Sequence, residues 1–315
     1  MADLCVDLAG LSLRNPLLSA SGTFGHGLEM QHIVPPSMVG GLVSKTVTLL
    51  PRPGNPMPRI AETEAGFLNS IGLENRGVAA YEQTVLPQVA EADTQIITNL
   101  GGRSAEEFAD LASRLGDRNE IDAFEINLSC PNVDGGKLPF STDPARAEAV
   151  IAGVRAVTNK PLFAKLSPNV TRIDEIAKGC EAGGAHGITA VNTVLGMAVD
   201  WRSGKPALHT TIGGYSGVAI KPIALRCAWQ CAQAVKIPVI GCGGIRTASD
   251  VLEFIVAGCS AVQIGTANFS DPSLLIALES SLHELLEGAG IASVNELRGR
   301  IQAHSSDPLQ LVAQP

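Results

Sequence analysis

Residues 239–266 read VIGCGGIRTASDVLEFIVAGCSAVQIGT. Val239–Gly241 and Ala261–Ile264 are short apolar runs. Between them, Ala248–Ala257 repeats its apolar residues at helical spacing, after the Gly243-Gly244 turn. Strand, glycine turn, helix and strand form the repeating unit of a parallel sheet. Neither run has a polar face, so both predict strands buried on two sides.

The same alternation extends outward to both ends of the chain. The other strand candidates are Pro16–Ala20, Gly41–Thr46, Gln95–Asn99, Ala123–Asn127, Leu162–Lys165 and Gly187–Asn192. Helical patterns lie between most of them: Val78–Ala92, Ala105–Leu115, 144–157, Arg172–Ala182 and Lys221–Val235, with Pro272–Leu286 after the last strand. Ser104, three residues before Glu107, marks a helix start, as do Asp143-Pro144 and Asp271. The fold class is therefore α/β, and eight strands favour a closed (β/α)8 TIM barrel. An open doubly wound sheet would carry a G-x-G-x-x-G turn after its first strand. Here that strand runs into Ser21-Gly22-Thr23-Phe24-Gly25. No linker or low-complexity segment divides the chain, so residues 1–315 read as one barrel domain. Two connections are long, Thr48–Asn75, with Pro51, Pro53, Pro56 and Pro58, and Thr193–Ser216. They read as loops over the active face.

Composition narrows the function. A net charge of -8 lacks the basic footprint of a nucleic-acid binder. The longest stretch without charge, Ala182–Val199, holds His186, Asn192, Thr193 and several glycines, which suits a membrane span poorly. The start, MADLCVDLAG, does not read as a secretion signal, and the expected location is the cytoplasm. Seven scattered cysteines without a C-x-x-C pair predict reduced thiols. Cys227 and Cys231 stand one helical turn apart, but no further Cys or His completes a metal set, so they read as small hydrophobes and no metal is expected.

Chemistry gathers where the strands end, which in a barrel is the floor of the active face. The residues there are Ser21, Lys45-Thr46, Asn99, Asn127, Lys165 and Asn192-Thr193, then Gly243-Gly244 and Gly265-Thr266. An unpaired buried amide costs roughly 2–7 kcal/mol, so a ring of polar strand ends is hard to assign to core packing. Either glycine site alone could be a tight turn. Together, after the seventh and eighth strands, they predict a phosphate-bearing ligand. Lys45 and Lys165 could each pair with a carboxylate, yet no Asp or Glu ends a strand, although Glu125 lies within the fourth. Two cations on one cavity suit an anion, or a ring that becomes anionic on reduction, as a flavin does. Cys130 follows the fourth strand in NLSCPN (127–132), ahead of Gly135-Gly136. A thiol titrates near ~8.5, so as a base it needs a route for its proton. His26, His32 and His209 lie in loops or flanks, which weakens a Cys–His hydrolase reading. A non-catalytic phosphate-binding barrel would leave Lys45, Lys165 and Cys130 unexplained.

The motifs NPLLSASGTFG (15–25), VSKTVT (43–48), NSIGLENRG (69–77), INLSCPNVDGG (126–136), FAKLSPNV (163–170), VNTVLGMAVD (191–200), GGYSGVAIKPIALR (213–226), GCGGIRTASD (241–250) and QIGTANF (263–269) follow in order. With them the chain resembles the dihydroorotate dehydrogenases over nearly its whole length. The resemblance implies oxidation of dihydroorotate to orotate in pyrimidine synthesis, on one flavin mononucleotide (FMN). It implies cofactor contacts at Ser21, Lys45, Thr46, Asn99, Asn127, Lys165, Val191, Gly217, Gly243, Gly244, Gly265 and Thr266. Substrate contacts fall on Lys45, Asn69, Ser70, Ile71, Gly72, Leu73, Asn127, Asn192 and Thr193, and Cys130 matches the catalytic base of the cytosolic class. PNVDGG and NTVLGMAVD resemble the NAD-linked class 1B, whose partner subunit carries FAD and a [2Fe-2S] cluster, usually two plus two. The fumarate-linked class 1A homodimer, or an FMN-dependent reductase of another pyrimidine, is the alternative. Tyr215 stands where the resemblance leads one to expect Leu, and Ile71 where Met is also common.

Overall fold

The central strands form where apolar runs have two faces to bury. The structure, a computed structural model, describes residues 1–129 and 140–302. Eight parallel strands run in chain order around a closed barrel: β1 (Leu17–Ser19), β2 (Gly41–Val43), β3 (Gln95–Leu100), β4 (Ala123–Asn127), β5 (Leu162–Leu166), β6 (Gly187–Ala190), β7 (Val239–Cys242) and β8 (Ala261–Ile264). Closure is made by β8 against β1, with Val262 opposite Leu17 and Ile264 opposite Ser19. All residues of β4 through β8 are buried, as expected for strands under helices. The helix-to-sheet contact is close at Gly241, where a Cβ would come within 2.3 Å of Phe254.

The helices are α1 (77–89, with a π-turn at Tyr81–Val85), α2 (Ala105–Leu115), α3 (Pro144–Arg155), α4 (Ile173–Ala182), α5 (Lys221–Ala234), α6 (Ala248–Val256), α7 (Ala267–Ser270) and α8 (Leu274–Gly288). Their starts follow local chemistry. Ser104 Oγ accepts from the Glu107 N–H, Asp143 accepts from Ala145 and Arg146, and Thr247 with Asp250 forms a reciprocal capping box. The last helix begins at Leu274 rather than Pro272, because Asp271 instead accepts from Ser273 in a turn after α7. Between β1 and β2 two short 3-10 turns, Leu28–Met30 and Pro36–Met38, take the place of a helix. The β2 ladder stops at Val43, short of the expected Thr46, because the Lys45 N–H turns to Gly25 O at 2.8 Å.

The two long connections are not free loops. Ile60–Thr63 and Gly66–Asn69 from the first pair with Gly213–Ser216 and Val194–Gly196 from the second, in one antiparallel four-stranded sheet. Its central pairing sets Leu68 against Tyr215 and Asn69 against Gly214. Asn75 anchors the base of the first connection, accepting from the N–H groups of Thr48 and Gly77 and donating to Thr48 Oγ1. No helix among the described residues is long and apolar enough to cross a membrane.

Candidate active site

The strand ends and the antiparallel cap enclose a cavity of about 460 Å³, within the ~300–1,000 Å³ of small-molecule and cofactor sites. Ser21, Lys45, Thr46, Asn99, Asn127, Lys165, Val191, Gly217, Gly243, Gly244, Gly265 and Thr266, all expected at a cofactor, line it together. So do Asn69, Ile71, Leu73, Asn192 and Thr193 from the substrate set. Ser70 and Gly72 do not. The Ser70 hydroxyl is buried and has no partner among the described residues, and Gly72 turns against Asn55 at φ +75. Cys130, with the rest of 130–139, lies outside the described residues.

Glycine is required after β7. Gly243 and Gly244 have φ of +132 and +75, and a Cβ on Gly244 would stand 2.6 Å from the Lys221 backbone nitrogen. Among the described residues, the N–H groups of Gly244, Gly265 and Thr266 meet no protein acceptor, while those of Arg246 and Thr247, further along the turn, go to Asp250. Open amides on one wall of a cavity suit an anion such as phosphate.

Beneath this wall lies a polar cluster that the strand-end pattern does not predict. Glu125, fully buried on β4, accepts from Asn99 Nδ2 at 2.7 Å, from Thr189 Oγ1 at 2.9 Å and from Gln263 Nε2. Lys165 Nζ is 3.6 Å from Glu125 Oε1 and donates to Gln263 Oε1 at 2.8 Å. The expectation that Lys165 lacks a carboxylate is therefore corrected: its partner sits two residues inside β4 rather than at a strand end. Burial is the largest single influence and disfavours the lysine's charge, but the charge and hydrogen bond of Glu125, with a smaller pull from Cys242, together outweigh it, and the pKa of Lys165 lies above its ordinary value. Lys45 is half-buried and, among the described residues, its ammonium makes no ion pair. Cys242 also lines the cavity. Burial raises its pKa against the pull of Lys165, which leaves a neutral thiol.

At the mouth of β4 and β6 three side chains interlock. Ser129 Oγ donates to Asn127 Oδ1 at 2.8 Å, and Asn192 Nδ2 donates to Ser129 Oγ. Asn192 Oδ1 accepts from the Thr193 N–H at 2.8 Å. The roof holds Asn69 through its Nδ2 bond to Gly214 O at 3.2 Å, and Phe67 meets Phe269 of α7 edge-on at 5.7 Å. Tyr215 belongs to the cap and lies outside the cavity lining, its hydroxyl 3.4 Å from Thr63 Oγ1. No histidine lines the described cavity. His26 packs on Tyr81 with ring centroids 5.3 Å apart, and burial lowers its pKa. Cys227 and Cys231 are buried within α5, and no cluster of metal-ligating side chains occurs among the described residues.

The cavity's donors fit a flavin phosphate and ring. Among the described residues, the N–H groups of Gly244, Gly265 and Thr266 stand open for an anion and Asn99 Oδ1 is buried without a donor, while Lys165 is held charged. Comparison with known proteins agrees with this chemistry. Residues 3–286 match the family described as dihydroorotate dehydrogenase. The chain is 48% identical over 299 residues to the dihydroorotate dehydrogenase B (NAD(+)) catalytic subunit of Geotalea uraniireducens, covering 95% of this chain and 98% of that one. It is 45% identical over 302 residues to the protein of the same name from Bacteroides thetaiotaomicron, covering 96% and 100%. A crystal structure of dihydroorotate dehydrogenase from Eimeria tenella in complex with ferulenol superposes with a TM-score of 0.78 at 22% identity, over 95% of this chain and 88% of that one, a likeness of fold. With a barrel of this kind and a match spanning most of its length, the chain belongs to the dihydroorotate dehydrogenase family.

Proposed function

We propose that this chain oxidises dihydroorotate to orotate in pyrimidine biosynthesis, as an FMN-dependent catalytic subunit in the cytoplasm. The observation that carries the reading is the cavity itself. It combines open amides after β7 and β8, two lysines and a ring of asparagines in a chain of this family. FMN, when bound, supplies the acceptor for the hydride that leaves carbon 6 of dihydroorotate. The chain's own groups do the rest. Gly243, Gly244, Gly265 and Thr266 hold the phosphate. Ser21, Thr46, Asn99, Val191 and Gly217 line the remaining cofactor wall. Lys165 and Lys45 set positive charge where negative charge accumulates.

Asn127, Asn192 and Thr193 face the substrate from the barrel, and Asn69, Ile71 and Leu73 from the cap. Ser70 and Gly72 shape that cap segment. Cys130 takes the proton from carbon 5, so that both C–H bonds break as the ring double bond forms. The names of the relatives, NAD(+)-linked catalytic subunits, support NAD as final acceptor and a partner subunit. On the resemblance of PNVDGG and NTVLGMAVD to class 1B, that partner carries FAD and a [2Fe-2S] cluster, in a complex of two plus two.

Anaerobic titration tests the reading. The purified protein is expected to be yellow, to bleach with dihydroorotate and to stay yellow with dihydrouracil. A colourless protein that takes up no FMN overturns it, and bleaching by dihydrouracil alone reassigns the substrate.

A further inference from the structure

Glu125 has no counterpart in the logic of a hydrophobic barrel. It lies in the middle of β4, fully buried, and the groups that reach it come from β3, β5, β6 and β8. A carboxylate can only accept hydrogen bonds, so it dictates which way each neighbouring amide turns. Asn99 gives Nδ2 to Glu125, which leaves Oδ1 as the atom that is buried without a partner among the described residues. Gln263 gives Nε2 to Glu125, which leaves Oε1 to accept from Lys165. One anion thus orients two amides and an ammonium, of which Asn99 and Lys165 border the cavity.

We propose that Glu125 is a positioning residue of this site, which fixes the Asn99 acceptor toward the bound ring and keeps Lys165 a cation beneath it. The inference rests on the FMN reading above. A buried lysine without a counter-charge loses its proton far more easily than a free one, by up to several pKa units. Lys165 is buried apart from the face it turns to the cavity, and burial is the largest single influence on it. The titratable groups that face it are Glu125 on β4 and the thiol of Cys242 on β7, with Lys45 on the wall of the same cavity. Gln263, which accepts from Lys165, and Thr189 and Asn99, which donate to Glu125, are neutral. Burial holds Cys242 protonated, so Glu125 is the resident anion. Replacing it with an amide of the same shape removes that anion and also frees the Asn99 amide to turn over.

The test is the pH dependence of FMN affinity, read by quenching of flavin fluorescence. In wild-type protein the affinity changes little between about pH 7 and about pH 9, because Lys165 stays charged and the ligand's phosphate is already a dianion across that range. In Glu125→Gln the affinity falls by about tenfold or more over the same range as Lys165 loses its proton. Glu125→Asp keeps the charge and restores the flat profile. A purely structural role would weaken binding equally at every pH, so a flat profile in Glu125→Gln overturns the proposal. Should that variant fail to fold, the double variant E125Q/K165M is expected to fold, since the lone buried cation is gone; continued failure overturns the proposal as well. Wild-type protein that takes up no FMN overturns the FMN reading, and this inference with it.

Discussion

Gly244→Ala tests the phosphate wall at its tightest point. The residue has φ +75, a region that costs an L-residue about 1–2 kcal/mol. The new Cβ would also stand 2.6 Å from the Lys221 nitrogen and 2.7 Å from its Cα. These are backbone atoms at the start of α5, so no side-chain rotation relieves the clash. Forced overpacking of this kind typically costs about 1–3 kcal/mol. Lys221 is tied in turn to Asp250 at 2.5 Å and Glu253 at 2.9 Å, so moving it disturbs the start of α6. The expected loss of stability is about 2–5 kcal/mol, measured by urea unfolding of the cofactor-free protein. FMN affinity should fall by at least about tenfold, equivalent to about 1.4 kcal/mol. Gly153→Ala serves as the control. It lies within α3 with nothing within 4 Å of a new Cβ, and it should gain up to about 1 kcal/mol. The reasoning is refuted if Gly244→Ala unfolds within about 0.5 kcal/mol of wild type, the range of an unremarkable surface change.

Three further outcomes are expected. Cys130→Ala should retain FMN uptake and lose most of the rate of flavin reduction by dihydroorotate in stopped flow; an unchanged rate removes Cys130 from the mechanism. Asp250→Ala should cost about 1–3 kcal/mol at neutral pH by urea unfolding, through lost capping and charge-assisted hydrogen bonds. Burial pushes the Asp250 pKa up, but Lys221 and the N–H groups of Arg246 and Thr247 hold it below the ordinary value. Its stabilisation is therefore complete above about pH 4 and lost as pH falls through the depressed pKa. The gap between variant and wild type should close in that acid range; a constant gap contradicts the ionic account. Finally, the isolated chain should reduce NAD slowly, and an FAD and iron–sulfur partner subunit from the same organism should accelerate it; rapid NAD reduction by the chain alone contradicts the partner assignment.

The barrel was legible because its strands are buried on both faces. Ala123–Asn127 and Ala261–Ile264 stand out as apolar runs whether or not anything is known of their neighbours. The cofactor candidates were legible for the same reason, since a polar residue at the end of such a run is conspicuous. The cap was not. Its strands are three or four residues long, mostly half-exposed and several of them glycine-bearing, and they carry neither a helical nor an alternating signal. Their pairing joins Leu68 to Tyr215, a contact that no local pattern encodes. The missing helix between β1 and β2 has a local cause in Pro35 and Pro36, which start the second 3-10 turn.

The lysines show most clearly where strand-end reading stops. By sequence, Lys45 and Lys165 are equivalent cations at the ends of apolar runs. In three dimensions they differ because Glu125 lies inside β4 and Gln263 inside β8, 138 residues apart in the chain and bonded to each other. Lys165 therefore brings its counter-charge with it, and its ammonium is a directed donor in a nearly neutral cluster. Lys45 has no such anion among the described residues, so its charge is the one left to meet an anionic ligand. A neutralised donor loses little when water is expelled from the site, whereas an unpaired cation gains its strongest interaction only when an anion arrives. The two positions thus divide the work of the cavity, Lys165 ordering its floor in advance and Lys45 reserving its attraction for what binds there.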